Sequence, residues 1–160
     1  MTFDFSIARP VREAARAGGI ALTQCPADLQ EKWRSSLLTT LHLSKLDELW
    51  ADGVWESGIQ TNEPWKWIAR LRGCGPFVIF FPSNESTVVF LARTAIDAAT
   101  ILDLVNVAAF DFAVSRLVGD FALSKYGEGG LRAFGAVTPW INEDNDALLD
   151  LDSCTEQKPR

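Results

Sequence analysis

The sequence predicts an α+β fold: a mostly antiparallel sheet built from two β-hairpins, packed against helices contributed mainly by the N-terminal half. Three observations carry this expectation. Apolar residues recur at helical spacing through the first 72 residues. At Gly75-Pro76 the period becomes extended, and two apolar runs, Phe77–Phe81 and Thr87–Leu91, flank the turn residues Ser83-Asn84-Glu85-Ser86. Farther on, "AFDFAVSRLVGDFALSKY" places two alternating runs around Gly119-Asp120, the pattern of a tight hairpin.

Taken in order, Phe3–Ile7 alternates apolar and polar residues as a short strand would. "RPVREAARAGG" reads as a helix with Pro10 in its first turn and Gly18 as its stop. Arg9, Arg12 and Arg16 share one face of it, read as a solvated stripe. Leu29, Trp33, Leu37 and Leu41 recur every four residues and define the inner face of a second helix. Ser44 and Asp47 have the form of a capping box, with Leu46, Leu49 and Trp50 turned inward. "EPWKWIARLR" reads as a third helix, capped by Asn62 and closed by Gly73.

The first hairpin has almost no polar face, so both of its faces must be covered. Thr94 and Asp97 form another capping pattern ahead of the apolar helix "AIDAATILDLVNV". Counting outward from a two-residue turn at Gly119-Asp120 pairs Val118 with Phe121, and puts Phe110, Phe112, Val114, Val118, Phe121 and Leu123 on one core face. "LRAFGAV" fits a strand or a helix equally. Residues 1–152 are expected to form one domain, with a mobile tail at 153–160.

Charge is distributed unevenly. Residues 1–72 carry nine Lys/Arg against nine Asp/Glu, residues 73–140 four against six, and residues 141–160 two against six. The net charge of −6 therefore lies wholly in the second half. Such a domain repels phosphate backbones, which argues against nucleic acid and favours a basic protein partner. No apolar run approaches the roughly 20 residues of a membrane span, and no secretory leader is recognisable, so no membrane role and a cytoplasmic location are expected.

Catalytic patterns are scarce. Cys25, Cys74 and Cys154 have no C-x-x-C spacing and read as free thiols rather than a disulfide or zinc framework. His42 is the single histidine and has no local catalytic signature around it. Gly127-Glu128-Gly129-Gly130 fits neither phosphate-binding pattern, because Arg132 stands at the last glycine position and Glu128 adds negative charge. "NEDNDALLDLD" lacks the central glycine and bidentate glutamate of a calcium loop. No metal, no cofactor and no enzymatic activity are expected.

Of the six tryptophans, Trp33, Trp50 and Trp65 fit helix faces, whereas Trp55, Trp67 and Trp140 lie beside charges in the manner of binding hot spots. Small acidic inhibitors of toxic nucleases, of the immunity or antitoxin type, share this profile of one acidic, aromatic-rich domain without catalytic motifs. The expected contact residues are Asp111, Asp120, Glu128, Glu143, Asp144 and Asp146, with Trp140 as an anchor, chosen by charge and expected exposure. Two other readings compete: a small-ligand protein or unrecognised enzyme with a pocket between helices and sheet, and a scaffold subunit of a larger assembly.

Overall fold

The computed structural model describes residues 8–51, 57–61, 63–82, 89–105, 111–125, 130–141 and 147–152. Seven strands form one antiparallel sheet in the order β1-β5-β4-β6-β7-β8-β2. They are β1 (Leu22–Gln24), β2 (Ser57–Gln60), β4 (Phe77–Phe80), β5 (Phe90–Ala92), β6 (Phe112–Arg116), β7 (Phe121–Lys125) and β8 (Gly130–Gly135). The two expected hairpins are its centre, extended at one edge by β1 on β5 and at the other by β8 and β2. The β3 strand (Leu71–Arg72) pairs in parallel with β9 (Leu149–Asp150) in a separate two-stranded sheet.

Helices cover both faces. On the first face lie α1 (Ala8–Ala17), α3 (Pro64–Ile68), α4 (Ala95–Val105) and α5 (Thr138–Ile141). On the second face lie α2 (Ala27–Leu41) and a 3-10 helix, Leu46–Trp50. The β4 strand shows why the sequence dispenses with a polar face there. Phe77, Ile79 and the following Phe81 enter the first core, Val78 and Phe80 enter the second, and all five are buried. Alternation of side chains across a pleated strand sends successive residues to opposite layers, so an apolar run is what a sheet sandwiched by helices requires.

Local signals explain much of the framework. In α2 the buried residues are Trp33, Leu37 and Leu41, the expected stripe. Thr94 Oγ1 accepts the backbone N–H of Asp97 at 3.1 Å, as the capping pattern anticipates. "LRAFGAV" resolves as β8, paired with β7 and β2. No helix among the described residues is long and apolar enough to cross a membrane.

Four local expectations are corrected. The third helix stops at Ile68, and Leu71-Arg72 turns extended because β9 offers it a partner, with the Leu149 N–H bonded to the Arg70 carbonyl at 3.0 Å. The turn after Trp33's helix is 3-10 rather than α, and the Ser44 N–H is satisfied by Glu48 at 3.2 Å, not by Asp47. Strands β1 and β2, too short and too mixed to announce themselves, are additions.

Fourth, β6 and β7 are joined by four residues, Leu117–Asp120, because Phe112 pairs with Lys125 and Val114 with Leu123. The two-residue slip from the expected register preserves side-chain parity. Phe112, Val114, Phe121 and Leu123 therefore still share the first core, while Val118 is left 63% exposed in the turn. Gly119 has φ of 75°, and a Cβ there would meet the Leu37 backbone, so the turn is also fitted to α2. Phe3–Ile7, Asn62, Trp55, Phe110 and the tail 153–160 lie outside the described residues.

Candidate functional site

Among the described residues, Cys25, Cys74 and His42 are the candidate reactive side chains. Cys25 is buried just ahead of α2, and burial followed by the charge of Asp28 pushes its thiol above the ordinary range. His42 caps the other end of α2 in a left-handed conformation, φ 58°. At 1.5 Å per residue, the 15 residues of that helix hold the two about 22 Å apart. Cys74 is exposed, but its hydrogen bond to Asp152 and that carboxylate's charge push its thiol up, opposite to what a nucleophile needs. Among the described residues no group of three or more His, Cys, Asp or Glu could hold a metal ion.

A dense polar constellation sits where β6 ends. Arg116 is 4% exposed and grips Asp120 side-on, Nε to Oδ1 at 3.3 Å and Nη2 to Oδ2 at 2.6 Å. Its Nη1 donates to Asp152 Oδ1 at 2.5 Å and to the Cys74 carbonyl at 3.3 Å. Asp152 in turn accepts the Cys74 backbone N–H at 2.8 Å. Burial of the guanidinium opposes its charge, but the bonds to Asp120 and Asp152 outweigh that, and its pKa lies above the ordinary value. The bond from Arg116, then that from the Cys74 N–H, hold the Asp152 carboxyl below the usual range. Gly73, at φ 137°, passes so close that a Cβ would strike Arg116 and Leu151.

This constellation is a clasp. One arginine joins the end of β6, its following turn, the Gly73–Cys74 bend and the residues after β9. Four of its donor contacts are already taken by the chain itself, so it offers no open fork to a substrate carboxylate or phosphate.

Of the expected acidic contact residues, Asp111 and Asp120 lie among the described residues, at opposite ends of β6. Asp120 belongs to the clasp, with its side chain 23% exposed. Asp111 lies at the other end of β6, 3.8 Å from the buried Lys125 and also 23% exposed. At about 3.3 Å per residue, the strand between them keeps the two acids roughly 15 Å apart. Both are half-buried and engaged with a buried cation.

Trp140 requires correction. It is 5% exposed, stacks edge-on against Trp67 with ring centroids 5.1 Å apart, and donates its Nε1 to the Ala147 carbonyl at 2.9 Å. An indole beside acidic residues was expected to face a partner; instead α5 carries it into the first core. Trp67 is likewise buried, with Arg70 lying over its ring at 4.6 Å. Glu128, Glu143, Asp144 and Asp146 lie outside the described residues.

Arg116 and Asp152, and the part Cys74 plays with them in the clasp, were missed. Arg116 falls in the alternating core pattern, and its partners stand 36 and 42 residues away. The one local cue was the (i, i+4) spacing of Arg116 and Asp120 across the turn.

No protein-family model, curated protein or solved structure matches this chain.

Proposed function

We propose that the chain is a non-enzymatic protein-binding domain of the inhibitor or immunity type, acting in the cytoplasm and neutralising a basic partner such as a toxin. The observation that carries this reading is the uneven charge of the sequence: residues 1–72 sum to zero, and residues 73–160 carry the whole net charge of −6. Negative charge concentrated in one half of the chain speeds encounter with a positive partner. The occupied Arg116 fork and the raised thiols are consistent with a domain that binds rather than catalyses.

Within this reading Glu128, Glu143, Asp144 and Asp146 are the principal contacts, and Asp111 and Asp120 contribute long-range field rather than direct pairs. Replacing Asp144→Lys and Asp146→Lys together should slow association with a basic partner by about tenfold at low salt and flatten its salt dependence. Thermal unfolding should stay unchanged. A partner captured from the source cell whose on-rate ignores both salt and these substitutions would sink the reading.

A further inference from the structure

The sheet ends at β1, beyond which no described strand pairs; at its other end β2 packs beside α5. The Cys25 N–H bonds the Val89 carbonyl at 2.8 Å, and the same register sets Thr23 opposite Leu91 and Gln24 opposite Phe90. Hydrogen-bonded and non-hydrogen-bonded positions alternate in an antiparallel pair. Thr23 therefore bonds inward like Cys25, and the N–H and C=O groups of Leu22 and Gln24 point out of the edge. Thr23 and Gln24 are exposed, and the strand carries none of the usual guards against pairing, neither lysine, proline nor bulge.

The helix α1 runs back along this edge and lines it with arginine. Arg12 Nη2 donates to Gln24 Oε1 at 3.0 Å, and its guanidinium lies 5.4 Å from the centroid of the Phe90 ring. That contact fixes the flank of α1 that faces β1, and Arg9 and Arg16, three residues before and four after, share it. All three are exposed. Glu13 pairs with Arg9 at 3.1 Å and cancels its charge. Asp28 lies toward the second core, beside the buried Cys25. Asp97 and Asp103 belong to α4, which meets α1 at Gly18, across the helix from the arginines. Arg12 and Arg16 thus set the charge of the flank, and at physiological salt acids more than about 8 Å away are largely screened from it.

We propose that the β1 edge and this flank of α1 together bind an acidic, extended segment of a partner protein, which pairs its backbone with Leu22 and Gln24 and lays alternate carboxylates along Arg12 and Arg16. The spacings agree: one helical turn sets the two arginines about 6 Å apart, and alternate side chains of a strand stand about 6.6 Å apart. Strand addition supplies the affinity and the arginines the selection. A second copy fits poorly. Two β1 edges paired antiparallel would bring both α1 helices to one face, with their arginine flanks opposed. The site is built from residues 9–24 and Phe90 and does not depend on the basic-partner reading.

The test titrates the full chain with a blocked seven-residue peptide alternating glutamate and threonine, and with the same peptide carrying lysine for glutamate. The acidic peptide should slow hydrogen exchange at the Leu22 and Gln24 amides saturably, and the basic one should leave them unchanged. An acidic peptide N-methylated at alternate amides, unable to pair, should lose the effect. Arg12→Gln with Arg16→Gln should weaken binding by about tenfold, the loss of two exposed ion pairs, and an unshifted thermal melt verifies the fold of that variant. Equal response to the two charges, unslowed exchange at millimolar acidic peptide, or undiminished affinity in the double variant would overturn the proposal. Protection of the two amides without peptide would do so too, pointing to a second copy if it grows with protein concentration and to the chain's own residues if it does not.

Discussion

Over β6 and β7, α1 and α4 on one face and α2 with the 3-10 helix on the other solve the same packing problem with opposite allocations of bulk. On the first face the strands supply the large side chains, Phe77, Phe90, Phe112 and Phe121, and the helices above them are studded with alanine: Ala8, Ala14 and Ala15 on α1, Ala95, Ala98 and Ala99 on α4. On the second face β6 and β7 offer Ala113 and Ala122, and the covering elements carry Trp33, Leu37, Leu41 and Trp50. Interiors tolerate neither voids nor overlap, so bulk on one layer demands smallness on the other. Small residues let α1 and α4 settle closely on aromatic strands, whereas small strand residues let two indoles reach down to Phe80, at 4.7 and 5.8 Å between centroids.

Deleting bulk should hurt equally on both sides. Phe112→Ala on the strand and Trp33→Ala on the helix should each cost about 3–5 kcal/mol in urea-melt stability. A much smaller loss at either would mean that its layer can collapse and that the allocation is not tight. Adding bulk to the small partners should come next. Ala98→Leu and Ala113→Leu should each cost about 1–3 kcal/mol, through strain rather than cavity. Tolerance of either would break the comparison on that face.

The second face contains a finer contrast. Trp50 donates its Nε1 to the Phe112 carbonyl at 3.1 Å, whereas Trp33 Nε1 is buried without a partner. Trp50→Phe should therefore cost about 1–2 kcal/mol more than Trp33→Phe, since only the former sacrifices a hydrogen bond. Equal costs would show that the indole of Trp33 is satisfied in solution.

The smallest expected effect concerns the clasp, which leaves β6 on the first-face side. Because Asp152 has a folded pKa below its unfolded value near 3.9, its contribution is present above that value and is lost as pH falls through the folded pKa. The stability gap between the native protein and Asp152→Asn should thus close below about pH 4. The same carboxylate raises the Cys74 thiol pKa, so Asp152→Ala should speed its alkylation near pH 8. An unaltered rate would remove Asp152 from the thiol's environment.

How far the sequence could be read depended on the range of the signal. The α2 stripe, the Thr94 cap and the doubly apolar β4 follow from spacing within a dozen residues, and they stand where that spacing puts them. The β6–β7 face survived an error in turn length because parity repeats every two residues. The end of α3 did not survive, since Leu71-Arg72 answers to a strand 78 residues later in the chain. Trp140 misled for a related reason: its acidic neighbours are local, but the Trp67 ring that buries it is not.

By itself, then, the order of residues determined periodicity, and with it which segments coil, which extend and which must be covered twice. Tertiary structure alone decided strand order, the burial of Trp67 and Trp140, and the ring of partners around Arg116. Helical and pleated periods are written in neighbouring side chains. An ion pair spanning 36 residues exists only after the backbone has brought its members together.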